Sequence, residues 1–307
     1  VTKVSLIATV KDAGPYIGEF LASIEAQTRR PDQVVIVDGG STDGTLQSLR
    51  AAPWVTLFEE PGANIARGRN LAIAKAAHDT IAVSDADCVL APDWLERIVK
   101  PLEGGADVSM GLYRPLASSF FEACAAAISI KEPQEIQPQT FMPSSRSVAF
   151  LREVFDDAGG YPEWLEIGED MYLNQQWRKQ GVRMKLADGA VVYRRPRPGP
   201  REYWRQFVAY AEGDALGGMY PQRHAARFAA YGALALALAS RSRTLKGLVL
   251  VGGAAYAARP IRRALRLMPK GTNRAAAAAA VPALMAYTDL AKMTGYVRGL
   301  ARRRRGD

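Results

Sequence analysis

The stretch "IAVSDADCVLAPDW", residues 81–94, decides the fold. Ile81-Ala82-Val83 is an apolar run of the kind that forms a buried strand. It ends in two carboxylates one residue apart, Asp85 and Asp87. Pro92 and Asp93 follow where a helix can start.

Working outward, the first half of the chain repeats this strand-then-helix pattern. "VSLIATV" (4–10), "QVVIVD" (33–38), "VTLFE" (55–59) and "TIAVS" (80–84) read as strands. "PYIGEFLASIEAQ" (15–27) places Tyr16, Ile17, Phe20, Leu21 and Ile24 at helical spacing. "STDGTLQSLR" (41–50) is a helix start with Ser41 or Thr42 as its cap. "NIARGRNLAIAKAA" (64–77) and "APDWLERIVKPL" (91–102) are further helices. The alternation predicts an α/β fold with a mostly parallel sheet covered by helices on both faces. Ligands of such sheets lie beyond the carboxyl ends of the strands. Lys11, Asp38, Asp85 and Asp87 all stand at such ends.

After about residue 105 the alternation stops. "EDMYLNQQWRKQG" (169–181) reads as a helix ended by Gly181, and "VRMKLADGAVVYRR" as short strands. From 201 onward the chain reads as helical and basic. The reading therefore places one domain over 1–200 and a basic helical region over 201–307.

Charge divides the chain in the same way. Residues 1–193 hold 18 Lys+Arg and 26 Asp+Glu, a balance of −8, whereas 194–307 hold 22 and 5, a balance of +17. The apolar runs "FAAYGALALALA" (228–239) and "LVLVGGAAYAA" (248–258) flank Arg241, Arg243 and Lys246. Each is shorter than the roughly 20 residues of a spanning helix. Interfacial or re-entrant helices with the cations at lipid headgroups fit better. A helical subdomain packed on the rest is the plainer alternative. Arginine interleaved with alanine-rich apolar segments suits an anionic membrane surface better than nucleic acid, which is not expected as a partner. "RAAAAAAVPALMAY" (274–287) reads as helical up to Pro282, and "RGLARRRRGD" as a solvated or lipid-facing tail.

With 2 His and 2 Cys in 307 residues, a multi-histidine metal site is excluded and a disulfide scaffold is not expected. Cysteine usage points to a reduced, cytosolic compartment. The opening "VTKVSLIATV" enters a strand without the cationic start and long apolar core of a signal peptide. Carboxylates are hard ligands suited to Mg²⁺ or Mn²⁺, which commonly bridge protein acids to substrate phosphates. Alone, Asp85-Ala86-Asp87 reads more readily as a turn or helix cap, since a D-x-D occurs often by chance. After the fourth strand of a parallel sheet it becomes a metal anchor. In "VIVDGGSTDGT" (35–45), Asp38 can accept hydrogen bonds from a base or ribose, or serve only a tight turn.

Four motifs in order, "ATVKDAGPYIGEFLASIEAQT", "VIVDGGSTDGT", "VSDADCV" and "GGYPEWLEIGEDMYLNQQWRKQG", make the chain resemble the family 2 glycosyltransferases. These have the GT-A fold, a Rossmann-like sheet, and many bacterial members carry membrane-associated C-terminal extensions. The resemblance covers most of residues 4–193 and implies roles. Thr9, Lys11 and Asp38 would line the nucleotide pocket, with Asp38 facing the base. Arg67 and Asn70 would sit near the nucleotide or diphosphate. Asp85 would approach the ribose or the metal, and Asp87 would coordinate Mn²⁺ or Mg²⁺. Asp170 in "GED" matches the family's general base, with Glu169 beside it. Ser144, Ser145 and Arg146 fall in a substrate-contacting loop. Trp164 would stack on an acceptor sugar or pack in the core.

Two departures matter. "QQWR", with Trp177 and Arg178, is not the Q-x-x-R-W of processive members, which argues for adding one sugar at a time. Tyr193 in "AVVYRRP" stands where many relatives have a histidine near the metal. The implied activity is inverting, metal-dependent transfer from a nucleoside-diphosphate sugar, a UDP-sugar being favoured. The acceptor would be a lipid-linked or polysaccharide-precursor hydroxyl at the cytoplasmic face of a bacterial inner membrane. A sugar transferase acting on polyprenyl phosphate and a non-catalytic nucleotide-sugar-binding scaffold are the rivals.

Overall fold

The structure, a computed structural model, describes residues 2–268 and 273–305. In chain order the first elements are β1 (Val4–Val10), α1 (Gly14–Glu25), β2 (Gln33–Asp38), α2 (Thr45–Arg50), β3 (Val55–Glu59), α3 (Ile65–Ala74) and β4 (Thr80–Val83). Next come β5 (Cys88–Leu90), α4 (Trp94–Glu103), β6 (Val108–Pro115), α5 (Phe120–Ser129), β7 (Val148–Leu151), α6 (Arg152–Asp157), α7 (Glu169–Lys179) and β8 (Met184–Arg194). Four helices complete the chain, α8 (Pro200–Leu216), α9 (Pro221–Ala239), α10 (Arg243–Leu267) and α11 (Arg274–Arg305).

The chain forms two compact units. One comprises residues 1–114 and 133–195, and the other 115–132 and 196–307. The second unit thus takes in α5, which the pattern of the sequence left with the first.

Eight strands form one sheet in the order β3-β2-β1-β4-β7-β6-β8-β5. β3, β2, β1 and β4 pair in parallel. β7 pairs antiparallel with both β4 and β6, and β5 with β8. The sheet is therefore mixed rather than mostly parallel. Parallel neighbours need a crossover connection, usually a helix. The strand-helix alternation that supplies crossovers ends with α4.

The continuous apolar runs are explained by burial on both faces. Leu6, Ala8, Val34, Ile36 and Ala82 join one core cluster with Ile17 and Phe20 of α1 and Trp94 and Leu95 of α4. Their strand neighbours Ile7, Val35, Val37, Ile81 and Val83 join another with Ile73 of α3, Phe155 of α6 and Leu173 and Trp177 of α7. Successive residues of a strand point to opposite faces, so neither face of β1, β2 or β4 reads as polar.

In the helical unit, α8 and α11 cross closely. A Cβ on Gly295 would lie 2.0 Å from the Val208 carbonyl oxygen, and one on Gly299 2.5 Å from that of Glu212. α11 runs through Pro282, so the alanine-rich helix does not end there. The arginine-rich end continues α11 as far as Arg305, with Arg302 paired to Glu212 at 2.9 Å, and only Gly306 and Asp307 of that tail lie outside the described residues. The two apolar runs lie within the longer α9 and α10. Among the described residues, no helix is long and apolar enough to cross a membrane.

Candidate active site at the strand ends

The loop after β2 is a polar network. Asp38 is fully buried. Its Oδ1 accepts from the Gly40 and Ser41 amides, both at 2.8 Å, and its Oδ2 from the Ser41 hydroxyl. Gly40 has φ 92°, which a side chain rarely tolerates. Asp12 accepts from the Thr42 amide at 2.8 Å, Asp43 from the Gly14 amide at 2.8 Å, and Thr45 Oγ1 from the Ala13 amide at 2.9 Å. The acids and hydroxyls of "DGGSTDGT" thus tie the end of β2 to the end of β1. α2 begins only after Gly44, with no side-chain cap, so Ser41 and Thr42 are not its caps.

Lys11 is exposed at the end of β1 and Thr9 is half-buried beneath α3. A Cβ on Gly68 would come within 2.8 Å of Thr9 Cγ2, so glycine lets α3 approach β1. Arg67 is held by Glu60, with Nε donating at 3.0 Å. Asn70 is engaged by the 161–163 segment. Its amide donates to the Tyr161 carbonyl and to Glu163, and its Oδ1 accepts from the Tyr161 amide at 3.0 Å. It clamps the 161–163 segment to α3.

The two acids after β4 differ sharply. Asp85 is buried, with Arg69 Nη2 donating at 2.6 Å and Arg146 Nε approaching as an ion pair at 3.4 Å without hydrogen-bonding. Asp87 is 39% exposed, and Arg194 Nε approaches it at 4.0 Å. Arg69 itself is nearly inaccessible and also pairs with Glu169 at the start of α7. Burial of Asp85 pushes its carboxyl up, but Arg69 and then Arg146 outweigh that and hold it below the usual range. Glu169 goes the other way. Burial first, and then the neighbouring Asp170 charge, raise it, and Arg69 offsets this only in part. Arg69, the element the sequence reading missed, stands one residue from Asn70. Its signal was an arginine among the small and apolar residues of α3, and only the structure supplies its two partners.

α7 begins after Gly168, which has φ 91° and offers no side-chain cap. Asp170 accepts from the Met171 amide at 2.8 Å and from the Ser145 amide at 3.3 Å. Ser145 in turn shares a 2.8 Å hydrogen bond with Tyr161, whose ring lies under Arg69. Arg146 Nη1 donates to Ser144 at 2.8 Å. The 144–146 loop therefore touches both the Asp85 end and the Asp170 end of the site. Trp164 is 60% exposed and edge-on to Tyr172, so it is not a core residue. Trp177 is core, and Arg178 donates to the Gln139 and Phe141 carbonyls, pinning that segment to α7. Tyr193 packs against the apolar core, and its neighbour Arg194 is the residue beside Asp87.

No group of three or more His, Cys, Asp or Glu able to hold a metal occurs among the described residues. One or two carboxylates with open oxygens still suit Mg²⁺ or Mn²⁺ when a substrate phosphate and water complete the shell. Asp87 and the partly engaged Asp85 fit such a shared site, not a closed protein cage.

Residues 5–157 match the sequence profile of glycosyl transferase family 2. The O-antigen chain rhamnosyltransferase of Salmonella typhimurium is 27% identical over 67% of this chain and 70% of its own length. The N-acetylglucosaminyl-diphospho-decaprenol L-rhamnosyltransferase of Mycobacterium tuberculosis is 34% identical over 29% of each chain. Among solved structures, a mannosyltransferase from Pyrobaculum calidifontis in complex with GDP-Man and Mn²⁺ superposes with a TM-score of 0.58 at 22% identity. That match covers 98% of this chain and 87% of the other, and it shows a shared, GT-A-like fold. With the sheet, the strand-end acids and the matching profile in place, the chain belongs to glycosyl transferase family 2 and is a glycosyltransferase.

Proposed function

We propose that the protein transfers a sugar from a nucleoside-diphosphate sugar to a hydroxyl of a lipid-linked or polysaccharide-precursor acceptor, with inversion at the anomeric carbon. One observation carries this reading. Arg69 pairs with both Asp85 and Glu169, so it joins the acids after β4 to the acids that open α7. A donor end and an acceptor end are thereby held in one site.

The donor lies at the ends of β1, β2 and β4, with Thr9, Lys11 and Arg67 around the nucleotide and Asp38 bracing the loop against it. Asp87, assisted by Asp85, would hold Mn²⁺ or Mg²⁺. Such a cation, when bound, offsets the negative charge that builds on a departing diphosphate. Asp170 takes the proton of the acceptor hydroxyl, a weak nucleophile that needs a positioned base. Attack from the face opposite the leaving group inverts the centre. Exposed Trp164, near α7, offers a stacking surface for an acceptor sugar. The relatives' names, an O-antigen chain enzyme and a decaprenol-linked one, support an acceptor of this class. GDP-Man in the superposed structure widens the donor base beyond the favoured UDP.

Thermal unfolding with UDP, GDP and dTDP, each with and without Mn²⁺, tests the donor half. A ligand at a hundred times its Kd stabilises the fold by about 2.7 kcal/mol. At least one nucleotide should raise the midpoint, and raise it further with Mn²⁺. Asp87→Ala should lose the Mn²⁺-dependent part. If the variant keeps both the affinity and the Mn²⁺ response, the metal assignment is wrong.

We also place the protein at the cytoplasmic face of a bacterial inner membrane, on the surface of the helical unit. Leu236, Leu238, Leu248 and Leu250 are 67–74% exposed near the junction of α9 and α10. Arg241, Arg243 and Lys246, also exposed, lie between them in sequence. An apolar surface with cations at its edge binds anionic bilayers through both terms. The chain should co-sediment with vesicles containing phosphatidylglycerol and be only partly released by 1 M salt, because salt screens only the charge term (Debye length about 3 Å at 1 M). The pair Leu248→Glu and Leu250→Glu should abolish the salt-resistant fraction. Ending the chain near residue 225 is a poorer test, since it strips α11 from α8. Absence of vesicle binding by the full chain would remove the membrane proposal.

A further inference from the structure

Arg194 stands beside Asp87 without a role in the proposed transfer. β8 pairs antiparallel with β5, and Arg194 lies opposite Cys88. That register brings it beside Asp87, the more open of the two strand-end acids. The residue is only 9% exposed. Its Nε is buried with no hydrogen-bond partner, and its one ion pair among the described residues is the 4.0 Å approach to Asp87. That distance is too long for a hydrogen bond. Burying even one guanidinium N–H unmet is costly, so such a donor normally has a partner. Here the partner is absent although the carboxylate stands next to it.

The neighbouring cations are committed. Arg69 is held by Asp85 and Glu169, and Arg146 by Asp85 and Ser144. The Nε atoms of Arg69 and Arg146 are likewise buried without a hydrogen-bond partner, but the Nη atoms of both are bonded within the protein, whereas the Arg194 guanidinium donates no hydrogen bond to a protein acceptor among the described residues. A planar fork of donors matches phosphate oxygens, and does so bidentately where lysine offers only a point charge.

We propose that Arg194 is a diphosphate-binding residue, donating to non-bridging oxygens of the donor's diphosphate at the Asp87 end of the site. This rests on the proposed function, which places a nucleoside-diphosphate sugar there. It also makes part of the diphosphate recognition independent of metal. Asp87 alone is a sparse anchor for a cation, and a fixed guanidinium adds positive charge that no chelator removes.

The test compares full-length wild type, Arg194→Gln and Arg194→Lys by calorimetric titration with UDP, GDP and dTDP and the matching monophosphates. Each titration is run with Mn²⁺ and again with EDTA. Wild type should prefer the diphosphate over the monophosphate even in EDTA. Arg194→Gln should lose that preference by on the order of tenfold or more, the scale of a hydrogen bond to a charged group, with monophosphate affinity unchanged. Arg194→Lys should fall between, and it serves alone if the glutamine variant does not fold. Unchanged diphosphate preference in both variants overturns the proposal. So does a wild-type preference that vanishes in EDTA. Equal loss for mono- and diphosphates shows a structural role and likewise overturns it. A wild type that binds no nucleotide under either condition brings down the proposed function as well, whereas the other outcomes leave that reading standing.

Discussion

Asp170→Asn is expected to bind the donor nucleotide as wild type does and to lose sugar transfer by roughly a hundredfold or more, the usual scale for a lost general base. The amide is nearly the same size but cannot take a proton. The substitution is not silent for the fold. Asp170 accepts from two backbone amides, those of Met171 and Ser145. An asparagine has one acceptor oxygen and must turn its NH₂ toward one of them. The longer contact, 3.3 Å to Ser145, is the one to yield. The stability cost is about 1–2 kcal/mol, the scale of one lost hydrogen bond at a partly buried group. Nucleotide affinity by calorimetry and initial rates on the same preparation separate the two effects. Transfer near the wild-type rate would take the base role from Asp170. Glu169 was the alternative in the sequence, but it is buried and paired with Arg69, so the geometry favours its neighbour.

Arg69→Met is expected to have the largest effect on stability. Methionine fills a similar volume and removes the charge. Glu169 then remains buried without its cation, and Asp85 keeps only Arg146 at 3.4 Å. Breaking a buried ion pair by removing one partner costs about 3–5 kcal/mol, because an uncompensated charge is left behind. Arg69→Lys should recover only part, since one ammonium cannot reach both acids as a fork does.

The pH dependence has a definite sign. In wild type, Asp85 is depressed, so its contribution is present above its unfolded pKa and is lost as pH falls. In the variant Asp85 keeps Arg146, whereas Glu169, raised by burial and by Asp170, loses the cation that offset this and holds its proton still more tightly when folded than when unfolded. Its penalty is full at neutral pH and shrinks as pH falls through the raised value. Glu169 should be the first to take a proton. The gap between wild type and variant therefore narrows in acid from both sides. Urea unfolding at pH 7 and pH 5 measures it. An unchanged midpoint at pH 7 would show that Arg69 does not hold the site together.

The elements legible in the sequence are those whose signals are local. β1, β2 and β4 announced themselves as unbroken apolar runs because helices cover both faces of the sheet there. Asp38, Asp85 and Asp87 were readable as strand-end residues because each ends or closely follows an unbroken apolar run. The position of Asp170 followed from the short "GED" pattern at a helix start. The second half of the sheet was not legible. β6 and β7 are antiparallel and carry no crossover helix, so no alternation marked them. α5 joins the helical unit although it lies between strands of the other, and a contiguous reading could not assign it.

The sequence by itself determined four apolar strands, Lys11, Asp38, Asp85 and Asp87 at the ends of three of them, and a last third that is basic and helical. Only the tertiary structure decided how the acids are used. It gives Asp85 two arginines and leaves Asp87 half open. It makes Asn70 a clamp on the 161–163 segment and Arg69 the link between positions 85 and 169. It sets Arg194, rather than Tyr193, beside Asp87 through the β5–β8 register. Charge pairing depends on which side chains the folded chain brings within a few ångströms. For partners such as Arg69 and Glu169, 100 residues apart, no local pattern records that distance.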